Sequence, residues 1–204
     1  IFLLFVKRFI YPPFRLLYTP FISTHVLPGH QKKSFTSVYN INDKGGTLHM
    51  YKIDLNSDLG ESFGLYKIGC DEEIIQTVSS ANIACGLHGG DPAVMDKTIK
   101  MCIKSGTAIG AHPGFPDLQG FGRRQMHLKK GELKNFILYQ LGALEAFARM
   151  HKIKLQHIKP HGALNNMMPY SEQYSLEICQ AVLAFDPELI LVAPTNTMTL
   201  KMAQ

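Results

Sequence analysis

From residue 50 onward, short apolar runs alternate with longer segments whose apolar residues recur every three or four positions. The first kind reads as strand and the second as helix. Residues 51–56 open the series as a strand. Residues 71–79 carry Ile74, Ile75 and Val78 at helical spacing, and 81–85 predict a second strand. Residues 91–105 predict a helix with Val94, Met95, Thr98, Ile99 and Cys102 on one face. Asp91 is its N-cap, Pro92 its first helical residue and Gly106 its C-cap. Residues 107–111, 155–159 and 189–193 predict three more strands. Residues 128–150 predict a long helix with Leu133, Phe136, Ile137, Gln140, Leu141, Leu144 and Ala148 facing inward. Residues 171–185 predict another, capped by Ser171. Thr195 is placed to cap a last one. The stretch 112–128 holds Pro113, Gly114, Pro116, Gly120 and Gly122 and reads as a long loop.

Strands separated by helices imply βαβ units, a parallel sheet and right-handed crossovers. The expected fold is α/β, an incomplete (β/α) barrel over residues 50–204. The sequence stops as a helix begins, which reads as truncation. Residues 1–49 follow a different logic. Pro12, Pro13, Pro20 and Pro28 break any long helix. The apolar run at 1–6 is too short to span a bilayer and lacks the order of a signal peptide. Lys44-Gly-Gly46, just ahead of Met50, is what a purine-rich ribosome-binding site encodes when translated. Met50 is therefore the expected start, and 1–49 a disordered extension or translated upstream sequence. The competing reading is a membrane-leaning or targeting extension.

Charge supports this division. Lys7, Arg8, Arg15, Lys32, Lys33 and Lys44 face Asp43 alone within 1–49, so this segment carries the whole net charge of +5. The remainder is balanced and has no basic excess to attract nucleic acid. A hydrophobic content of 46% is enough for a sizeable core. Cys70, Cys85, Cys102 and Cys179 form no C-x-x-C pair and read as reduced thiols of a cytoplasmic protein. Cys85, at a strand end, has a buried small-residue reading and a nucleophile reading.

The candidate chemistry lies at the ends of the strands, where α/β barrels carry it. Asp54, Asn56, Asp58 and Glu61 cluster at the first. Asp54 and Asn56 share a side, because side chains alternate. The carboxylates suit general base or metal-ligand roles; the bland reading is loop capping. His88, His112 and His161 each follow a different strand and neighbour glycine or proline. They suit metal binding through neutral imidazoles, or acid and base work, and spacing does not decide between them. Gly86 lets the backbone approach a ligand. His157 reads as core or barrel lining. Lys159 suits a carboxylate or phosphate, and Arg123-Arg124 either a carboxylate clamp, part of a lid, or a solvated surface pair. The P-loop pattern is absent.

Five stretches together carry a resemblance: Asp54-Leu-Asn-Ser-Asp-Leu-Gly-Glu61, Ser80-Ala-Asn-Ile-Ala-Cys-Gly-Leu-His-Gly-Gly-Asp-Pro92, Gly110-Ala-His-Pro-Gly-Phe-Pro-Asp117, Gly120-Phe-Gly-Arg-Arg124 and Lys159-Pro-His-Gly-Ala-Leu164. In this order they resemble the LamB/YcsF family over about residues 50–204. The resemblance implies a seven-stranded barrel of the polysaccharide-deacetylase type. It implies ATP-dependent hydrolysis of 5-oxo-L-proline to L-glutamate, with 5-oxoprolinase subunits B and C as partners. Residues 1–49 have no family counterpart, and the family continues beyond the point matching Gln204. Residue chemistry then gives a catalytic set of Asp54, Asp58, Glu61, His88, His112 and His161. The substrate-binding set is Asn56, Asn82, Gly86, Arg123, Arg124 and Lys159. Two rival classes remain: a metal-dependent amide hydrolase acting alone, with Asp54, His88 and His112 as ligands, and an inactive remnant that only binds partners.

Overall fold

The computed structural model describes residues 53–194 and 197–203, and, before them, backbone strands at 2–5, 9–11, 14–19, 38–39 and 50–51. Five strands form the centre: β1 (Ile53–Leu59), β2 (Ser80–Ala84), β3 (Ala108–His112), β4 (His157–Ile158) and β5 (Ile190–Pro194). They are parallel and lie side by side in chain order, curling into a half-barrel. Phe2–Phe5 runs antiparallel along β1, and Phe14–Thr19 runs parallel along β5.

The helices are α1 (Asp71–Ile74), α2 (Pro92–Ser105), α3 (Glu132–Met150), α4 (Gly162–Met167), α5 (Glu172–Phe185) and α6 (Met198–Met202). The strand residues Leu59, Ala81, Ile83, Ile109, Ala111, Ile158, Leu191 and Ala193 are buried and belong to one apolar core with the helices. The face of α2 in that core is Met95, Thr98, Ile99 and Cys102. The face of α3 is Leu133, Ile137, Leu141, Leu144 and Ala148, with Gln140 among them. Alternation along each strand therefore sends the apolar set outward and the polar set into the barrel.

The caps follow the sequence. Asp91 Oδ1 accepts from Val94 N at 2.9 Å, Gly106 ends α2 in the left-handed region at φ 66°, and Ser171 Oγ accepts from Tyr174 N at 3.2 Å. Other boundaries differ. β1 runs to Leu59, not 56, so Asp58 is a strand residue. α1 is one turn long, because the chain turns at Gln76–Val78 to enter β2. α3 begins at Glu132, not 128. Its first amides are satisfied from another helix: Glu177 of α5 accepts from Gly131 N at 2.8 Å and Lys134 N at 3.1 Å. The sequence reading missed α4 and the 3₁₀ turn Met168–Tyr170 that follows it. Thr195 lies outside the described residues; Thr197 precedes α6. Among the described residues, no helix is long and apolar enough to cross a membrane.

Candidate active site

Strand register stacks the inward residues in layers. Asn56 of β1 aligns with Ser80 of β2. One layer higher, Asp58, Asn82, Gly110 and His157 align across β1 to β4. Higher still, Ala84 aligns with His112 at the mouth.

Hydrogen bonds connect the layers into one ladder. At the bottom, the Asp54 carboxylate accepts from Ser79 and, at 2.6 Å, from Ser80 Oγ. Asn56 Nδ2 donates to Ser80 Oγ at 2.7 Å and to Asn82 Oδ1 at 3.1 Å. Asn82 Nδ2 donates to Asn56 Oδ1 at 2.5 Å and Asp58 Oδ1 at 2.7 Å. His157 Nε2–H donates to Asn82 Oδ1 at 2.7 Å. Lys159 Nζ donates to Asp58 Oδ1 at 2.8 Å. A fully paired polar ladder of this kind fixes each side chain's orientation.

Above the ladder, three imidazoles and a carboxylate converge from four strand ends. His88 is stacked on His161, with ring centroids 3.7 Å apart, and both meet His112 edge-on. His88 Nε2 lies 3.2 Å from Glu61 Oε1, and His161 Nδ1 lies 3.4 Å from the same oxygen. His112 Nε2 lies 3.0 Å from His161 Nδ1 and 3.4 Å from Asp58 Oδ1. Backbone carbonyls hold the far sides of two rings. His112 Nδ1–H donates to Lys159 O at 2.6 Å, and His161 Nε2–H donates to Phe121 O at 2.8 Å. Among the described residues these donor atoms of Glu61, His88, His112 and His161 all lie within 4.8 Å of one another, the one such group of metal-ligating side chains.

Burial and neighbouring charges set the protonation states. Burial pushes His88, His157 and His161 down to about 3, so these are neutral imidazoles at neutral pH. Burial also acts on both carboxylates. For Asp58 it is outweighed by His112 and Lys159, which hold the carboxyl well below the usual range. For Glu61 burial wins over His112 and His161, and its carboxyl is raised.

The long loop closes over the rings. Phe121 packs edge-on against His88 and His161, and Arg123 lies over the Phe121 ring at 5.5 Å. Gly122 adopts φ 63°, and a Cβ there would stand 2.7 Å from His88 Cβ and 2.8 Å from His161 Cδ2. Only glycine fits both demands. Arg124 is turned away into an ion pair: its Nε donates to Asp117 Oδ1 at 2.8 Å, and its Nη2 reaches the same oxygen. Asp117 also accepts from Gly120 N at 3.0 Å and Arg124 N at 3.3 Å. Gln140 of α3 clasps the other end, accepting from Gly114 N at 2.9 Å and donating to Gly114 O at 3.0 Å.

The Arg124 hydrogen bond holds the Asp117 carboxyl down to about 2. An unfolded aspartate titrates near ~3.9. The lowered value means that the folded state is favoured above about pH 4, and that this contribution disappears as pH falls through about 2. The melting temperature of Asp117→Asn is expected to be lower than wild type at neutral pH and to converge with it in acid melts only as pH falls through about 2.

The structure thus brings together Asp58, Glu61, His88, His112, His161, Lys159, Asn82 and Asn56. Arg123 lies at the rim. Gly86, at φ 90°, turns the corner after β2 and donates its N–H to Gly89 O. Asp54 stands at the base of the ladder and does not join the converging donors; Glu61 and His161 complete the set with His88 and His112. Arg124 is engaged by Asp117. Burial pushes the Cys85 thiol up to about 12, and Sγ donates to Ile83 O, so it is no nucleophile. His157 lines the barrel. The sequence reading missed the part of Phe121, whose carbonyl orients His161; its position between two glycines was the available signal.

Known proteins resemble this chain in sequence, and a solved structure resembles it in fold. The A subunit of 5-oxoprolinase from Campylobacter jejuni subsp. doylei is 55% identical over 148 residues, covering 72% of this chain and 58% of the relative. The protein of the same name from Clostridium beijerinckii is 54% identical over 155 residues, covering 76% and 61%. That from Pyrococcus abyssi is 52% identical over 153, covering 75% and 60%. The chain therefore spans about three fifths of the length of these relatives. The crystal structure of a lactam utilization protein from Thermus thermophilus superposes with a TM-score of 0.73 at 47% identity, covering 74% of this chain and 61% of that one. The LamB/YcsF family pattern matches residues 53–204, from the first barrel strand through the last helix, and this chain belongs to the LamB/YcsF family.

Proposed function

We propose that this chain is the A subunit of an ATP-dependent 5-oxoprolinase, opening the lactam ring of 5-oxo-L-proline to give L-glutamate. The observation that carries the reading is the meeting of Asp58, Glu61, His88, His112 and His161 at one barrel mouth. The relatives' names, a 5-oxoprolinase component and a lactam utilization protein, support a cyclic amide as substrate. That the former is named as one subunit of its enzyme supports partners, which we take to be subunits B and C. The five strands read as part of a seven-stranded barrel of the polysaccharide-deacetylase type. Such an enzyme works in the cytoplasm, where ATP is supplied and thiols stay reduced.

Lactam hydrolysis adds a water oxygen to the ring carbonyl carbon, breaks the C–N bond and returns a proton to nitrogen. The amide is stable, so a driving reaction helps: transfer of the ATP γ-phosphoryl group to the amide oxygen releases ADP and makes the ring carbon electrophilic, water addition with C–N cleavage leaves a γ-acyl phosphate, and a second water displaces its phosphate to give glutamate. Glu61, with its raised carboxyl, is the better base of the two carboxylates and takes a proton from water. Asp58 stays ionised and fixes Lys159 and His112. The proton that Glu61 takes up is the one returned to the leaving nitrogen. Arg123 at the rim, or Lys159, receives the substrate carboxylate.

The test is glutamate release from 5-oxoproline with subunits B and C, with and without ATP. Release that requires both ATP and partners is expected. Release by this chain alone without ATP would favour the self-sufficient amide hydrolase. No release, while a full-length relative works in the same assay, would count against the assignment.

A further inference from the structure

We propose that Glu61, His88, His112 and His161 bind one divalent transition-metal ion of the zinc type. The geometry is the first argument. Bonds of about 2.0–2.1 Å to a tetrahedral ion separate ligand atoms by about 3.3 Å. Three separations in this group are 3.0 Å (His112 Nε2 to His161 Nδ1), 3.2 Å (His88 Nε2 to Glu61 Oε1) and 3.4 Å (His161 Nδ1 to Glu61 Oε1).

The tautomers are the second. A backbone carbonyl only accepts, so Lys159 O fixes the proton of His112 on Nδ1, and Phe121 O fixes that of His161 on Nε2. In the neutral rings, His112 Nε2 and His161 Nδ1 then point lone pairs at each other across 3.0 Å, beside the Glu61 oxygen. Two acceptors at that distance repel unless a positive centre lies between them. Protons can bridge this pair and the His88 Nε2–Glu61 Oε1 pair separately, but the four ligand atoms lie within 4.8 Å of one another around a single centre. One metal ion serves all four. A ring nitrogen bonded to a carbonyl behind it is also the arrangement that orients metal-ligating imidazoles.

His88 differs from the other two. Its Nδ1 is buried and has no hydrogen-bond partner among the described residues. No carbonyl orients this ring, so it is the least firmly held of the ligands.

The site shares residues with the hydrolase reading but is tested without substrate, ATP or partners. Chain 1–204 is stripped with a chelator and titrated with cobalt(II), with visible absorption as the readout. One cobalt per chain is expected, with ligand-field bands, and zinc should displace it. Partners behind a metal ligand are worth about 10- to 100-fold in affinity, so His161→Ala and Glu61→Gln should weaken binding by more than about 100-fold. His88→Ala should weaken it less than His161→Ala. Circular dichroism confirms that each variant is folded. Substoichiometric cobalt without ligand-field bands, in folded wild-type chain, would overturn the proposal and leave a proton as the cation between His112 and His161. Unchanged binding by folded His161→Ala would overturn the ligand assignment. Neither success nor failure of the glutamate assay alters these outcomes.

Discussion

Alanine in place of Gly110 is expected to lower stability by about 3 kcal/mol, the upper end for overpacking a close-packed interior. Gly110 and His157 are register partners on β3 and β4. A Cβ at 110 would stand 2.2–2.4 Å from three atoms of the His157 ring. The ring cannot simply swing aside. It is buried, and its Nε2–H is held by Asn82 Oδ1 at 2.7 Å. Moving it breaks that bond and leaves a buried acceptor short of a partner, a cost of about 1–3 kcal/mol in its own right. The absent side chain at 110 is therefore what lets a ring occupy the Asp58 layer. Urea melts of Gly110→Ala, His157→Ser and the double variant measure this as a coupling. The double variant should be more stable than the sum of the two single losses predicts. Simple additivity would show that the ring does not fill the space over Gly110.

Asp58→Asn is expected to slow lactam opening by about 100- to 10,000-fold, the range for losing an acid–base or charge-stabilising group. Asp58 Oδ1 is the meeting point of Lys159 Nζ, Asn82 Nδ2 and, at 3.4 Å, His112 Nε2. Asparagine keeps an acceptor oxygen there, so the ladder below can stay paired and the fold is expected to persist. What disappears is the negative charge that faces Lys159 Nζ and His112 Nε2. Lys159 then loses the carboxylate it donates to, and His112 loses the anion 3.4 Å from its Nε2. The effect should fall on kcat, with KM changed less, because Arg123 at the rim is untouched. A wild-type kcat in folded Asp58→Asn would remove Asp58 from the chemistry.

Much of this could be read from the chain itself. Apolar periodicity located α2, α3, α5 and all five barrel strands, because each buries one face in a shared core. Asp91, Gly106 and Ser171 announced their helix ends by local chemistry. The three histidines were recognisable as a set because each follows its own strand. Distances across the barrel were a different matter. Asp54 and Asn56 do share a side, but β1 extends to Leu59, which lowers Asp54 to the base of the ladder and raises Asp58 and Glu61 to the mouth. Strand length, set by pairing with β2, decided that, and no residue within 54–61 signals it. Gly110 and His157 are 47 positions apart and meet only through the register of β3 with β4. Arg124 looked like half of a carboxylate clamp, until a turn at Gly120 and Phe121 folded it back on Asp117. α4 is six residues long and was hidden because its only inward residues are Ala163 and Leu164. Too few apolar positions leave no period to read.

The central claim is that the residues at this barrel mouth open a lactam. The most direct measurement is glutamate formation from 5-oxoproline by this chain and by its His112→Ala variant, each with ATP and partner subunits B and C. The account predicts turnover by the wild-type chain and its loss in folded His112→Ala. Equal turnover by both would contradict it, because ring opening would then proceed without the imidazole that stands between Asp58 and His161.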